Sequence, residues 1–564
     1  MDNIRFILVV VFAMISLMLW EQWKLDYDPK PEVAVAEQTV VADRQDDLPT
    51  AGSVSTEGLG AEAVPLLEVP AEKIITVKTD VFSLEIDTKG GTLRNLDLTQ
   101  YPKEKTNTVV EKMYDLVGLE PDKKDLSPVR LFNSQSEKLY LAQSGLISSK
   151  GNAKAPDHHA LFTTDKTEYQ MPVGEDTLVV PLRWTNRQGL KVTKTFIFKR
   201  GQYDIQVEQK IDNLSSSPWA GRQYSQLLRV PYTDDKGNTY IRTYAGGVVY
   251  TEEEKYQKID YEDMAETNLN VTTLGGWSAM TQHYFAAAWI PPANEKNTFY
   301  TKQLQDWRYV IGSYSPAMEI EPQSSAVLTS QLFVGPKIQP AMEAISPGLE
   351  LTVDYGWMTI IGKPIYWLLN KIHDFVGNWG FAILGVTLCI KLLFFKLSQA
   401  SYRSMAKMRK IQPRLKELQD KFADDRQRFN TEMMAMYKRE KVNPMGGCLP
   451  ILVQIPVFIS LYWVLVETVE LRQAEFGLWI QDLSTQDPYY ILPILMGITM
   501  KVQQLLNPAP IDPLQAKVMQ MFPIVFTIFF LFFPSGLVLY WVWNNSLSIV
   551  QQWYITRQIE RAEN

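Results

Sequence analysis

The chain has 564 residues, more than one ordinary domain needs, and a formal net charge of −7. The charge is unevenly spread: residues 355–564 hold 21 Lys+Arg against 15 Asp+Glu, so the preceding part is strongly acidic. We therefore expect an acidic soluble part joined to a basic membrane part. The two cysteines, Cys389 and Cys448, both lie in apolar segments, which excludes a disulfide framework in the soluble part.

The N-terminus combines a charged start with an apolar run. Arg5 precedes the apolar residues 6–20, and no small-residue cleavage site follows them. We interpret residues 1–25 as an uncleaved anchor helix with a cytoplasmic N-terminus, and a cleaved signal peptide is the alternative. Residues 26–73 are rich in proline and acidic residues and have no sustained hydrophobic period, which predicts a disordered acidic linker.

Alternation of apolar and polar residues begins at Ile74 and is punctuated by glycine-containing turns. This pattern predicts that residues 74–340 form a large, mostly antiparallel β domain made of two packed sheets. Three histidines could indicate a metal or sugar-processing site: His158, His159 and His283. No ligand spacing accompanies them, so we interpret them as surface residues or satisfied core residues.

Residues 354–376 carry apolar side chains at helical spacing, interrupted by polar residues and by Pro364, which is expected to kink the helix. We interpret this segment as an amphipathic helix on the membrane surface, and a packing helix of the β domain is the alternative. The next segment, 377–397, is apolar enough to cross a bilayer and is predicted to be the second span.

The predicted second span contains a lysine, Lys391. A charged side chain at the centre of a membrane helix costs about 2.5–3.5 kcal/mol on insertion scales. Thr387 lies one turn earlier and shares its helix face. Lys391 could reach a nearby interface with its long stem, or it could line a wet cavity enclosed by protein. This helix alone favours neither explanation.

Residues 398–442 form a polar insert with 12 Lys+Arg and 6 Asp+Glu. Pro413 and the acidic pair at 424–425 predict two helices in a hairpin, which the positive-inside rule places in the cytoplasm. Its methionines offer an adaptable apolar surface: Met405, Met408, Met433, Met434 and Met436. We favour a docking arm for incoming chains over a merely solvated hairpin.

Four further spans are predicted within residues 443–555, followed by a short cytoplasmic tail at 556–564. Together with the anchor and the second span they make six, and the loop charges place both termini in the cytoplasm. The last span carries a polar residue at every fourth position: Tyr540, Asn544, Ser548 and Gln552.

This polar stripe could be glue between helices, worth about 0.6–2 kcal/mol per residue. Other predicted spans also carry polar side chains: Lys391, Thr387, Gln454 and Gln503. This polarity exceeds what short spans need for association, so we expect a thin bundle around a hydrophilic groove.

Five motifs resemble those of the YidC membrane-protein insertases. They are VNPMGGCLP at 442–450, QIPVF at 454–458, VELRQA at 469–474, DPYYILPI at 487–494 and FPSGL at 533–537. The matching motifs all lie within 354–555, whereas before residue 354 it is mainly the arrangement of anchor and β domain that matches. The whole chain resembles the Gram-negative form. The resemblance implies a polytopic α-helical membrane protein with a five-helix insertase core and a periplasmic β-supersandwich, similar to galactose mutarotases but without needed catalytic activity.

The resemblance also implies a function. Such a protein inserts and helps fold nascent inner-membrane proteins through a groove open to the cytoplasm and to lipid, alone or with the Sec translocon. It implies an inner-membrane location with residues 26–353 in the periplasm, and contact with membrane lipids. The implied ribosome contact is weak or indirect, because the tail carries only Arg557 and Arg561. The implied substrate-contacting residues are Lys391, Thr387, Gln454, Ile455, Gln503, Tyr540, Asn544 and Ser548.

The position of Lys391 usually holds arginine in this family. Lysine is a compact point charge, so attraction to acidic substrate segments is retained while bidentate carboxylate binding is not. We expect no bound nucleotide, because no GxxxxGK[ST] loop occurs. The resemblance implies no cofactor, metal or enzymatic activity. A secondary transporter with a midplane cation is the alternative, although no internal repeat is found. A sugar-modifying enzyme is a third possibility, which deletion of 74–340 would inactivate while sparing an insertase.

Overall fold

The computed structural model describes residues 47–48, 72–105, 124–149, 151–231, 243–422, 425–440, 442, 449–507 and 513–563. The predicted anchor at 1–25 and nearly all of the predicted linker at 26–73 lie outside these residues. The chain divides into two compact units, Met1–Leu48 and Pro49–Asn564. The second unit, described below, begins with β strands and ends with helices.

Nineteen strands occur in the described part of the chain. Their bounds are β1 (Ile74–Lys78), β2 (Phe82–Asp87), β3 (Thr92–Pro102), β4 (Pro128–Phe132), β5 (Tyr140–Ser148), β6 (Glu168–Gln170), β7 (Thr177–Thr185), β8 (Leu190–Lys199), β9 (Asp204–Asn213), β10 (Trp219–Arg229), β11 (Gly246–Thr251), β12 (Lys255–Ile259), β13 (Asn270–Leu274), β14 (Trp277–Gln282), β15 (Phe285–Ile290), β16 (Lys296–Leu304), β17 (Arg308–Tyr314), β18 (Met318–Ile320) and β19 (Ser324–Pro336).

The strands form two sheets. The first has the order β13-β16-β17-β10-β5-β3-β2-β1-β6, with β4 paired to β3 and β18 to β10. The second has the order β12-β11-β14-β15-β19-β9-β8-β7. Among the described pairings only that of β1 with β6 is parallel, which confirms the predicted antiparallel character.

Both sheets contribute to one buried hydrophobic cluster. Leu84 and Leu96 enter it from the first sheet, and Phe196 and Val207 enter it from the second. The two sheets therefore pack as a sandwich, as predicted. In β8 every second residue is buried, which is the period of two expected for a strand with one face in the core.

One of the inward residues of β8 is a lysine. Lys194 is fully buried, and its Nζ donates to the carbonyl oxygens of Gly90 at 2.8 Å and Ser144 at 2.9 Å. Ser144 belongs to β5, so this side chain joins the two sheets. Burial lowers the pKa of Lys194 to about 7.

We expect the stability of the β domain to rise as the pH increases from about 7 towards 10. In this range the unfolded chain still binds a proton at Lys194, whose ordinary pKa is 10.5, while the folded chain has released it. Below pH 7 both states are protonated and the dependence from this group ends. Apparent Tm values measured against pH should show this rise in the wild type and a flatter curve in Lys194→Met. Parallel curves would assign the rise to other groups.

Ten helices occur in the same described residues. They are α1 (Tyr261–Glu266), α2 (Gln339–Ile345), α3 (Thr359–Val376), α4 (Trp379–Leu393), α5 (Phe395–Lys421), α6 (Arg426–Arg439), α7 (Leu449–Glu467), α8 (Ile491–Leu506), α9 (Pro513–Phe530) and α10 (Ser535–Glu563). Helix α10 continues through the residues predicted to form a separate tail.

Within the described residues, no single helix combines the length and the hydropathy of a membrane span, so the predicted count of six is not confirmed. Helices α4 and α5 meet both criteria together but are bent by 67° between them. The bend interrupts the predicted second span at Phe394, which follows the last residue of α4. Three shorter apolar helical stretches lie at Val453–Glu467, Ile491–Leu506 and Ala516–Phe530.

The polar insert contains α5 and α6, but Pro413 does not separate them. It lies inside α5, where neighbouring Ile411 and Leu415 are buried in a cluster with Met436 of α6. This packing offsets the backbone hydrogen bond that proline removes. Helix α5 ends at Lys421 instead, and α6 begins at Arg426, where Asp425 accepts the backbone N–H of Arg428 at 2.9 Å and caps α6.

Candidate functional site

Helix α10 contacts four other helices, α4, α5, α7 and α8. All four members of its polar stripe are buried: Tyr540, Asn544, Ser548 and Gln552. The stripe therefore faces neighbouring helices rather than open solvent. Each polar group in it needs a partner inside the bundle, since an unpaired buried group costs about 1–3 kcal/mol.

Lys391 of α4 meets this stripe directly. Its Nζ donates a hydrogen bond of 2.6 Å to Oγ of Ser548, which in turn donates to the backbone carbonyl of Asn544 at 2.7 Å. Lys391 is only half-buried, but its amine points to α10. The structure thus brings together three of the residues predicted from the sequence.

Tyr402 of α5 adds a partner that the sequence analysis missed. Its hydroxyl is hydrogen bonded to Ser548, and the side chain is buried. Tyr402 belongs to the residues predicted to form the hairpin and was therefore not expected in the groove. The signal that could have indicated its role was a tyrosine near the start of a polar segment, beside small residues such as Ser398 and Ser401.

Thr387 and Tyr540 have different surroundings. Thr387 is buried, but its hydroxyl donates to the carbonyl of Ile383 in its own helix at 2.7 Å, so it is not the partner of Lys391. Tyr540 is hydrogen bonded to the side chain of Gln454 on α7. Phe458, one turn after Gln454, stacks on Tyr540 with ring centroids 6.1 Å apart. The predicted residues Gln454 and Tyr540 are therefore in contact.

Two predicted residues lie apart from this network. Ile455 of α7 is 46% exposed on the outer surface of the bundle. Gln503 of α8 is half-buried, and no hydrogen bond joins it to the stripe among the described residues. Helix α8 instead meets α10 through Asn545, whose Nδ2 donates to Oγ1 of Thr499 at 3.3 Å.

The part of α10 around Gln551 and Gln552 carries amide groups with unused hydrogen-bonding capacity. Gln552 Nε2 donates to the carbonyl of Leu506 at 3.1 Å, but its Oε1 is buried without a partner in the described part of the chain. Both amide atoms of the buried Gln551 are likewise unpartnered there. Such groups can accept or donate a hydrogen bond if a polar guest reaches them.

The three histidines considered above lie at two separate places in the described part of the β domain. His158 is buried and hydrogen bonded to the hydroxyl of Tyr224, and the ring of His159 lies 4.1 Å from that of His158. His283 Nε2 donates to the carbonyl of Val466 at 3.0 Å. Burial lowers the pKa of His283 to about 4, so the ring is neutral at physiological pH.

Comparison with known proteins covers the whole chain. The family model described as YidC periplasmic domain matches residues 74–368, and the model described as 60Kd inner membrane protein matches residues 371–562. A relative named membrane protein insertase YidC, from Methylococcus capsulatus, is 54% identical over 565 residues, covering 100% of this chain and 99% of the relative. A relative of the same name from Thioalkalivibrio sulfidiphilus is 48% identical, with 100% and 99% coverage.

A solved structure titled as an active YidC insertase with the first transmembrane domain resolved covers 86% of this chain and 93% of its own, at 17% identity and a TM-score of 0.38. The two family models and the full-length relatives confirm the resemblance found in the motifs, and they do not favour a transporter or a sugar-modifying enzyme. The chain belongs to the YidC family, with a large periplasmic β-sandwich domain followed by a helical region.

Proposed function

We propose that the protein inserts nascent membrane proteins into the bacterial inner membrane and helps them to fold. The relatives that align with the whole chain are named insertases rather than enzymes, and the chain is accordingly assigned as a non-enzymatic protein. The observation that carries the proposal is the amine of Lys391, which is hydrogen bonded to Ser548 in the helical region.

In the proposed mechanism, the polar end of a substrate enters from the cytoplasm. Lys391 and the stripe residues Asn544 and Ser548 replace part of the water that this end loses, which lowers the cost of its burial. Because the stripe is packed against α4 and α5, entry requires these helices to separate locally. The polar end then occupies the site that Tyr402 now covers.

The apolar segment of the substrate moves along the outer surfaces of α7 and α9 into lipid. Exposed apolar side chains on these helices support this route: Ile455, Met521, Phe522, Ile524, Val525 and Ile528. Burial of the substrate's own apolar surface, at about 25 cal/mol per Å², provides the driving force. No nucleotide, metal or cofactor is needed for such a step.

The amphipathic helix α3 supports the proposed placement at the outer membrane surface. One face, with Ile365 and Leu369, is buried in the protein. The opposite side exposes large apolar residues, with Ile360 at 87% and Phe375 at 91% exposure. A helix with one face in protein and another in lipid suits the interface. The β domain then lies in the periplasm and both termini in the cytoplasm.

The hairpin is proposed to receive substrates, and its packing limits which residues can do so. Met433 and Met436 of α6 lie in the buried cluster of the hairpin, whereas Met434 is exposed. The basic surface of the hairpin also suits a weak or indirect ribosome contact. Membrane lipids and the Sec translocon are the other proposed partners.

The proposed route is tested by photocrosslinking to a ribosome-stalled membrane protein. A photoreactive amino acid at Ile455 is expected to crosslink to the apolar segment of the substrate. The same probe at Ile498 of α8, which is 54% exposed compared with 46% for Ile455, is the matched control and should crosslink far less. Equal crosslinking at both positions would indicate nonspecific lipid-phase contact and contradict the route.

A further inference from the structure

The VELRQA motif lies in a segment that the proposed groove does not use. We define the joint segment as residues 466–475, the end of α7 and the turn that follows it. From this segment Arg472 Nη2 donates to the carbonyls of Pro102 at 2.7 Å and Lys103 at 3.1 Å. Gln473 Nε2 donates to the same Pro102 carbonyl at 2.9 Å. Two motif side chains thus bind the end of β3.

Other contacts reach further parts of the β domain. His283, in the turn between β14 and β15, donates to the carbonyl of Val466 at 3.0 Å. Lys105 Nζ donates to the carbonyl of Gln473 at 3.2 Å and to Glu475 at 2.8 Å. The ion pair of Lys105 with Glu475 is exposed and contributes little by itself, so the backbone contacts are the stronger part.

The opposite side of the joint segment binds the helical region. The hydroxyl of Tyr366 on α3 donates to Glu470 at 2.8 Å. Asn378, which caps α4, donates from Nδ2 to the carbonyl of Glu475 at 3.0 Å. The segment is therefore hydrogen bonded both to the β domain and to two helices.

Two buried ionisable side chains adjoin these contacts. The backbone N–H of Lys337 donates to the carbonyl of Tyr284, the residue after His283, at 2.9 Å, and Glu467 is the residue after Val466. Lys337 follows the last residue of β19 and Glu467 is the last residue of α7, and each is only 3% exposed. Burial lowers the pKa of Lys337, while the charges of Glu467 and, more weakly, Asp354 oppose this shift. Lys258, which is ion paired with Asp354, is the other nearby cation. The charges of Lys337 and Glu467 thus favour each other's ionised form, and loss of either leaves the other without this compensation.

We propose that the joint segment fixes the outer end of α7 to the β domain, and that this attachment depends on the buried side chains of Lys337, on the β domain, and Glu467, on α7. The β domain is then a brace for one helix of the membrane core rather than a freely tethered appendage. Since α7 also carries Gln454 and Ile455, the brace sets the position of one wall of the groove. Only this last consequence rests on the proposed function.

Hydrogen exchange of the full-length protein in lipid nanodiscs tests the attachment. The amides of Leu471, Arg472 and Ala474 donate within the joint segment and report on its order. Lys337→Met and Glu467→Gln are each expected to speed exchange of the peptide spanning 466–475 by about tenfold. The double variant leaves neither charge without the other and should exchange more slowly than either single variant. It also keeps the test decisive if a single variant fails to fold.

The control is Arg183→Met, which breaks the exposed pair of Arg183 with Asp165 on the β domain and should leave exchange at 466–475 unchanged. Wild-type exchange in both single variants would overturn the proposal. Additive effects in the double variant would also overturn it, because they would mean that the two charges act separately. Insertion is measured in parallel, so that a failure of the attachment can be told from a failure of the insertase function.

Discussion

Replacement of Lys391 by alanine is expected to lower insertion of substrates with acidic translocated tails about tenfold, which corresponds to about 1.4 kcal/mol of lost attraction in a partly desolvated site. Substrates with neutral tails should be affected much less. The physical reason is that the amine lies inside the helical region and is hydrogen bonded there only through Ser548 in the described part of the chain. Its charge therefore remains available to a carboxylate.

Two variants separate charge from geometry. Lys391→Arg keeps the charge and should retain most insertion of acidic substrates. Ser548→Ala removes the hydrogen bond partner but keeps Lys391, so it should reduce insertion less than the alanine variant at 391 does. Insertion is measured as protease protection of the translocated tail. Equal insertion of acidic and neutral tails by Lys391→Ala would show that the charge does not act on the substrate.

The second large effect is expected on stability, from Asp487 in the loop before α8. This buried carboxylate accepts three hydrogen bonds: from Trp479 Nε1 at 3.0 Å, from the backbone N–H of Tyr489 at 3.0 Å and from that of Leu492 at 2.7 Å. Asp487→Ala leaves all three donors without this acceptor. We expect a loss of about 3 kcal/mol or more and a clear fall in apparent Tm.

Asp487→Asn provides the graded control. The amide keeps one carbonyl oxygen as an acceptor but loses the charge that strengthens each bond, so its Tm should lie between those of the wild type and Asp487→Ala. Glu475→Ala, at an exposed position in the preceding loop, should change Tm little. A Tm for Asp487→Ala within error of the wild type would mean that water or a rearranged loop replaces the carboxylate.

The two-sheet domain could be predicted because the alternation of apolar and polar residues along a strand indicates which of them are buried. In β8 the alternation identifies Leu190, Val192 and Phe196 as inward residues from the sequence alone. The strand order could not be read in the same way, because pairings such as β19 with β9 join segments distant in the chain. The inward position of Lys194 was also hidden, because only the folded arrangement supplies its carbonyl partners.

The candidate site was predictable in its parts but not in its contacts. The polar stripe follows from the period of α10, and Lys391 stands out by its charge, but the contact of Lys391 with Ser548 depends on how α4 packs on α10. The bend near Phe394 carries no proline or glycine as a signal, so the predicted span ran on to residue 397. This continuation kept Tyr402 out of the predicted groove.

The hydroxyl of Ser548 has one proton and two lone pairs, and its contacts with Asn544 and Lys391 use the proton and one lone pair. Its proton goes to the carbonyl of Asn544, and its oxygen accepts from Lys391. Lys391 keeps two further N–H groups that have no partner within the described residues. A guest that only accepts hydrogen bonds, such as a carboxylate, can therefore join this network without breaking it. A guest that only donates, such as an ammonium group, finds no acceptor on Lys391, so the network selects for acceptors by its valence as well as by its charge.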